Sequence, residues 1–358
     1  MAATNNIGKL VRQEVRDLNA YHVENIPCPV VLDANENPFP LSDELKEEVL
    51  RALGGVKTNR YPDTGSVRLK EAIARRDGVF ANQILLGNGS DEIIQMILTV
   101  FCEKGAKVLF PVPTFSMYAL IARAWGGIPV ECPLNARWDI DIASFLKKME
   151  TEDPAVIFLS TPNNPTGNMF STGSILEILN HGSGIVVVDE AYIHFAEKTF
   201  ADRLKEFPNL IILRSLSKVG MAALRLGYAI ASPEIIDFLN RVRLPYNINS
   251  LSQAAAEVVL NKWEVMEEQI EALKAERARI FGVLEKINGI HPFPSMSNFI
   301  LFRLEEGREE PTVFFKNLIG KGIRIRNLSN VPFLERCFRV TIGTAEENDA
   351  FLKALRDQ

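Results

Sequence analysis

The sequence predicts an α/β fold: a mostly parallel sheet covered by helices on both faces, three layers in all, with a smaller α+β unit beside it. Three observations carry that prediction. Short apolar runs without polar alternation recur through the middle of the chain, which is how strands buried on both faces read. Helix-like segments separate them, as the crossovers of a parallel sheet require. From about residue 250 the texture changes to a long stretch rich in Ala, Glu, Lys and Leu, followed by isolated strand patterns.

Taken in order, the expected strands are "QILLG" (83–87), "KVLFP" (107–111), "IPVEC" (128–132), "AVIFLS" (155–160), "GIVVVDE" (184–190), "NLIILRS" (209–215) and "LGYAIAS" (226–232), with helices between them such as 90–102 and 116–125. Residues 251–287 read as one long helix. After it come "NFILFRL" (298–304), a helical stretch 311–320, "GIRIRNL" (322–328), "CFRVTIG" (337–343) and a terminal helix. The first 40 residues, with "ANENPFP", read as irregular and are expected to pack across the boundary between the two units. The expected division is 41–250 for the large unit and 1–40 with 251–358 for the small one, since 358 residues exceed one small core.

Composition narrows the function. With 40 Lys and Arg against 45 Asp and Glu, the net charge is −5, so no basic excess exists to neutralise nucleic-acid phosphates. No apolar run approaches the ~18 residues of a membrane helix, and "MAATNNIGKLVRQEV" has no apolar signal core. The expectation is a cytoplasmic protein. Cys28, Cys102, Cys132 and Cys337 are too scattered for a zinc or disulfide framework, and no HExxH exists. His194 follows an apolar strand, where a lone histidine is more often a packing residue than a catalytic one.

Four stretches stand out. In "LLGNGSDEII" (85–94) a strand meets a glycine turn and a helix start. Ser90 is expected to cap that helix, and Asp91 and Glu92 suit its first turn. Such a turn is a natural anion cradle, though neither a dinucleotide fingerprint nor a P-loop. In "STPNNPTG" (160–167), asparagines at a strand's C-terminal end can present amides to a ligand. In "IVVVDEAY" (185–192), Asp189 ends four β-branched residues, so its carboxylate is desolvated and needs a partner. In "RSLSKVG" (214–220), Lys218 follows "NLIIL" with Ser215, Ser217 and Arg225 nearby. A lysine in a dry crevice becomes a nucleophilic amine. An amine, a buried carboxylate, an Asn, a Tyr and a phosphate cradle at the ends of successive parallel strands are the parts that hold pyridoxal phosphate.

At these residues the chain resembles the fold-type I pyridoxal-phosphate aminotransferases: "NNPTG", "DEAY", "SLSK" and "ALRLGY" occur in that order. "RDLNAYHV" (16–23), "LDANENPFP" (32–40), "RYPD" (60–63), "GNGSDEII" and "FRVTIGT" (338–344) resemble the histidinol-phosphate branch of that family. The resemblance implies that Lys218 carries the cofactor and shuttles a proton. It implies that Asp189 pairs with the ring nitrogen, that Asn164 and Tyr192 bond the ring oxygen, and that Phe115 stacks on the ring. It assigns the phosphate to the Ser90 and Asp91 amides, Ser215, Ser217 and Arg225, with Tyr61 reaching it from the partner of a homodimer. It assigns the substrate to Tyr21, Asn37, Arg326 and Arg339. Arg324 and Arg326 share a strand face, so both stay open, position in the motif favouring Arg326. Arg225 comes one residue sooner after Lys218 than in many members. The implied reaction is transamination of histidinol phosphate with 2-oxoglutarate, giving glutamate, in histidine biosynthesis. An aromatic aminotransferase and a threonine-phosphate decarboxylase are the alternatives on the same fold. A cofactor-sensing regulator would need a DNA-binding domain for which no residues remain.

Overall fold

The computed structural model describes residues 7–20, 26–182 and 184–356. Among these residues twelve strands form two sheets. They are β1 (Val30–Leu32), β2 (Ile84–Asn88), β3 (Lys107–Val112), β4 (Ile128–Pro133), β5 (Val156–Ser160), β6 (Ile185–Asp189), β7 (Leu210–Ser215), β8 (Leu226–Ile230), β9 (Ile290–Pro292), β10 (Phe299–Leu304), β11 (Ile323–Asn327) and β12 (Cys337–Thr341).

The larger sheet runs β2-β8-β7-β6-β5-β3-β4. From β4 to β7 its strands are parallel, and β8 is antiparallel to both of its neighbours. The α/β class read from the sequence is the one observed. Side-chain alternation explains the unbroken apolar runs: Val186, Val188, Leu210 and Ile212 enter the core on one face, while Val187, Ile211 and Leu213 enter the core on the other. With helices on both sides, every position of a central strand is buried.

The smaller sheet runs β1-β11-β12-β10-β9. The N-terminal segment, expected to be irregular, contributes β1, which pairs in parallel with β11. A second correction concerns 251–287. It is two helices, Ser250–Asn261 and Trp263–Leu284, separated at Lys262 with φ −122° and ψ 39°. Neither Gly nor Pro marks the break, so composition offers no stop signal there. A third concerns Ser90, which is the first residue of its helix; Gly89 occupies the cap position, at φ 84°. No helix among the described residues is long and apolar enough to cross a membrane. All four cysteines are unpaired.

Candidate active site

Parallel strands deliver their C-terminal ends to one edge of the sheet, and an open α/β sheet binds ligands there. A cavity of about 1050 Å³ lies at that edge, bounded on its far side by β11, β12 and the segment after β1. Into it come Ser160 at the end of β5 with Asn164 beyond it, Asp189 at the end of β6 with Tyr192 beyond it, and Ser215 at the end of β7 with Ser217 and Lys218 beyond it. Ser90, Asp91, Phe115 and Arg225 line it as well, as do Arg324, Arg326 and Arg339.

Asp189 is 3 % exposed. Its Oδ2 accepts the Tyr118 hydroxyl at 2.5 Å, and its Oδ1 accepts the Ala191 N–H at 3.0 Å. Burial pushes its pKa up to about 6, against the downward pull of the Tyr118 bond. No Lys or Arg among the described residues is ion-paired with it. Tyr118 is held in turn by stacking on Phe158 at 4.6 Å and by the edge of Phe115 at 5.5 Å.

Lys218 sits in the 3-10 turn Leu216–Val219, which is capped when Ser217 N–H bonds Ser215 Oγ. Its ammonium lies 5.8 Å from the centre of the Tyr192 ring. Gly220 at φ 96° and Arg225 at φ 53° bracket the following turn. Arg225 lies over Gly89, where a Cβ would meet its Nη2 at 2.6 Å, and 3.9 Å from Asp91 Oδ2. Across the strands, a Cβ on Gly227 would strike the start of the Ser90 helix, 2.7 Å from Gly89 C. At Gly227 backbone approaches backbone, at Gly89 the Arg225 guanidinium does, and Gly89, Ser90 and Asp91 at this helix start line the cavity, the kind of place an anion takes.

Opposite, Arg339 donates through Nη1 to Asn164 Oδ1 and through Nη2 to Asp33 O at 2.8 Å. Arg324 Nε lies 2.9 Å from Asp33 Oδ2, and its Nη1 donates to Ile26 O. The side chain of Arg326, opposite Arg339 in the register, makes no hydrogen bond or ion pair with any described residue. Of the two arginines left open by the motif, Arg326 is the one with its fork available.

Two of the expected residues lie outside the cavity lining. Asn37 is outside the cavity lining: its Nδ2 donates to Gln269 Oε1 and its Oδ1 accepts Phe39 N–H. Tyr61 is 79 % exposed and stacks on Tyr246 at 4.4 Å. Tyr21 lies outside the described residues. His194 packs on Trp263 at 5.2 Å, and burial holds its pKa well below the ordinary range, so it is a packing residue. Motif reading missed Tyr118, although it lies three residues after Phe115 in "PTFSMY", and Asn35, which donates to Tyr192 Oη at 2.9 Å.

Beneath the strand ends lies a buried ion cluster. Arg214 on β7 bonds Glu190 Oε2 at 2.8 Å and Asp77 Oδ2 at 3.0 Å, and Tyr228 donates to Asp77 Oδ2 at 2.8 Å. Burial works to raise the Asp77 pKa; the Arg76 and Arg214 charges outweigh it and leave it lowered. The cluster clamps the residue after Asp189 to the residue before Ser215.

This arrangement suits pyridoxal phosphate. Asp189 is a desolvated carboxylate with donors but no cation, as a protonated pyridine requires. Lys218 offers an amine, and Arg225 beside Gly89 at the start of the Ser90 helix offers a place for an anion. No group of three or more metal-ligating side chains occurs among the described residues.

Residues 29–355 match the family model described as aminotransferase class I and II. The histidinol-phosphate aminotransferase of Thermoanaerobacter sp. (strain X514) is 40% identical over 352 residues, covering 98% of this chain and 99% of the relative. That of Desulfitobacterium hafniense (strain DSM 10664 / DCB-2) is 42% identical over 357 residues, covering 98% and 97%. Among solved structures, the histidinol-phosphate aminotransferase of Sinorhizobium meliloti in complex with pyridoxal-5'-phosphate shares the fold, with a TM-score of 0.86 at 23% identity, covering 97% of this chain and 98% of that one. That of Clostridium acetobutylicum superposes with a TM-score of 0.82 at 28% identity, covering 92% and 98%.

Proposed function

Because the chain belongs to the class I and II aminotransferase family, we propose that it transfers the amino group of L-histidinol phosphate to 2-oxoglutarate, giving imidazole acetol phosphate and L-glutamate in histidine biosynthesis. The observation that carries this reading is one cavity holding Lys218 and Asp189 on one wall and Arg326 and Arg339 on the other. The 40–42% identity to histidinol-phosphate aminotransferases over nearly the whole chain supports the substrate.

Bound pyridoxal phosphate supplies an aldehyde that condenses with amines and a ring that accepts the electron pair left when a Cα proton departs. The chain's residues do the rest. Lys218 Nζ would hold the cofactor by its aldehyde and, once the substrate amine takes that place, would be the base that moves the Cα proton. Asp189 keeps a proton on the ring nitrogen. Asn164 and Tyr192 donate to the ring oxygen, and Phe115 covers the ring face. Ser215, Ser217, Arg225 and the N–H groups of Ser90 and Asp91 hold the phosphate. Arg326 and Arg339 grip the anionic end of the substrate. A guanidinium fork matches carboxylate and phosphate equally well, so one site takes both partners of the exchange.

We place the cofactor on residues 41–250 and the substrate arginines on the unit formed by 1–40 and 251–358. We further propose a homodimer in which Tyr61 serves the partner's phosphate site. Its exposure and its stacking on Tyr246 support that role.

The test is a half-reaction. Cofactor-loaded protein mixed with histidinol phosphate loses the visible band of the cofactor, and 2-oxoglutarate restores it. An unchanged band with histidinol phosphate, or release of carbon dioxide from threonine phosphate, overturns the reading.

A further inference from the structure

Asn35 is 1 % exposed and holds φ 55°, a left-handed conformation that asparagine tolerates. Its backbone N–H donates to Thr341 Oγ1 at 2.9 Å. An N–H has no other role, so Thr341 Oγ1 accepts there and has its own hydrogen to place. That hydroxyl lies 3.3 Å from Asn35 Oδ1 and donates to it. The Asn35 amide is thereby oriented, oxygen toward Thr341 and nitrogen toward Tyr192. Its Nδ2 donates to Tyr192 Oη at 2.9 Å. Tyr192 Oη, already an acceptor, keeps its hydrogen for the cavity that Tyr192 lines.

Asn164 is oriented by the same logic. Arginine carries donors only, and Arg339 Nη1 donates to Asn164 Oδ1. The amide nitrogen of Asn164 is left as the group available to a ligand. Arg339 is itself anchored on Asp33 O, two residues before Asn35. The segment 33–35 therefore sets the hydrogen-bond polarity of two cavity side chains.

We propose that Asn35 is a positioning residue for the ring oxygen of the cofactor: it makes Tyr192 an obligate donor into the cavity, so that Tyr192 and Asn164 together present two donors to one anionic oxygen. This rests on the cofactor reading proposed above. Donors on that oxygen lower its basicity, so the loss of one raises the pH at which the bound chromophore gives up its proton.

Asn35→Asp tests the polarity. The variant is isosteric and keeps the backbone conformation, but its carboxylate accepts from Tyr192 and turns the phenolic hydrogen away from the cavity. In titrations of the visible band of the pyridoxal-phosphate-loaded protein, the midpoint should rise by about one pH unit. Tyr192→Phe should give a shift of the same sign, and the double variant should add nothing to it, as for two residues on one path. Asn35→Ala, which frees the Tyr192 hydroxyl without adding charge, should move the midpoint the same way by less, and serves if Asn35→Asp does not fold. A wild-type midpoint in either Asn35 variant, or full additivity with Tyr192→Phe, overturns the inference. A wild-type protein that develops no visible band with pyridoxal phosphate instead overturns the cofactor reading itself.

Discussion

Tyr118 donates its phenolic hydrogen to Asp189 Oδ2 across 2.5 Å, in a pocket where the carboxylate is 3 % exposed. Burial raises the Asp189 pKa from the ordinary 3.8 to about 6, and the Tyr118 bond limits the rise. The folded, cofactor-free protein therefore holds this proton more tightly than the unfolded chain. The contribution to stability is full below pH 3.8 and is lost as pH rises toward 6. Urea unfolding of cofactor-free wild type and Asp189→Asn should show a gap that changes by about 2 kcal/mol between pH 4 and pH 7. A gap independent of pH would refute the assignment. Asp189→Asn should also lose most transamination, since an amide cannot hold the ring proton.

The two arginines of β11 should separate cleanly by kinetics and melting. Arg326→Ala removes an unengaged fork from the cavity, so KM for histidinol phosphate should rise by roughly tenfold to a hundredfold with little change in Tm. Arg324→Ala strands Asp33, whose side chain is 10% exposed. It should cost roughly 2–3 kcal/mol in stability, read by denaturant unfolding. Equal effects of the two substitutions on KM would contradict this division of labour.

Gly227→Ala places a methyl group against Ser90 N, backbone that no side-chain rotation relieves. The displaced helix start should weaken pyridoxal-phosphate uptake at least tenfold, or about 1.4 kcal/mol, in a titration of cofactor-free protein. Gly78→Ala, a glycine with nothing within 4 Å of the added carbon but with φ +67°, is the control for backbone strain alone. It should leave uptake unchanged while lowering Tm.

Glu190→Gln leaves Arg214 buried with one carboxylate fewer. An uncompensated buried charge costs roughly 3–5 kcal/mol, and chemical denaturation should report a loss of that order. Replacing the whole set of Arg76, Asp77, Glu190 and Arg214 by apolar residues of similar volume should cost far less than the single change.

Much of this fold is legible in the sequence because burial on both faces leaves a direct trace. Val186 to Val188 and Leu210 to Leu213 are apolar at every position, and each lies in one of the two cores. The break at Lys262 leaves no trace, since neither Gly nor Pro stands at the junction. In the candidate site, residues at strand ends are legible because Asp, Asn or Lys after an apolar run is conspicuous. Tyr118 looks like any aromatic on a helix, and only the fold brings it to Asp189, 71 positions away. Asn35 sits two residues from Asn37 in the same motif, and only the left-handed turn decides which of the two reaches Tyr192.

The strand order has a consequence for how the chain is made. Among the described residues β2 pairs with β8 alone, and roughly 140 residues must emerge from the ribosome before that partner exists. Asp77, just ahead of β2, likewise waits for Arg214. During synthesis the parallel core from β3 to β7 can assemble, while the edge that carries the Ser90 turn is sealed only when β8 arrives. The anion cradle is thus among the last parts of the larger sheet to take shape, completed by the same strand that brings Arg225 to it.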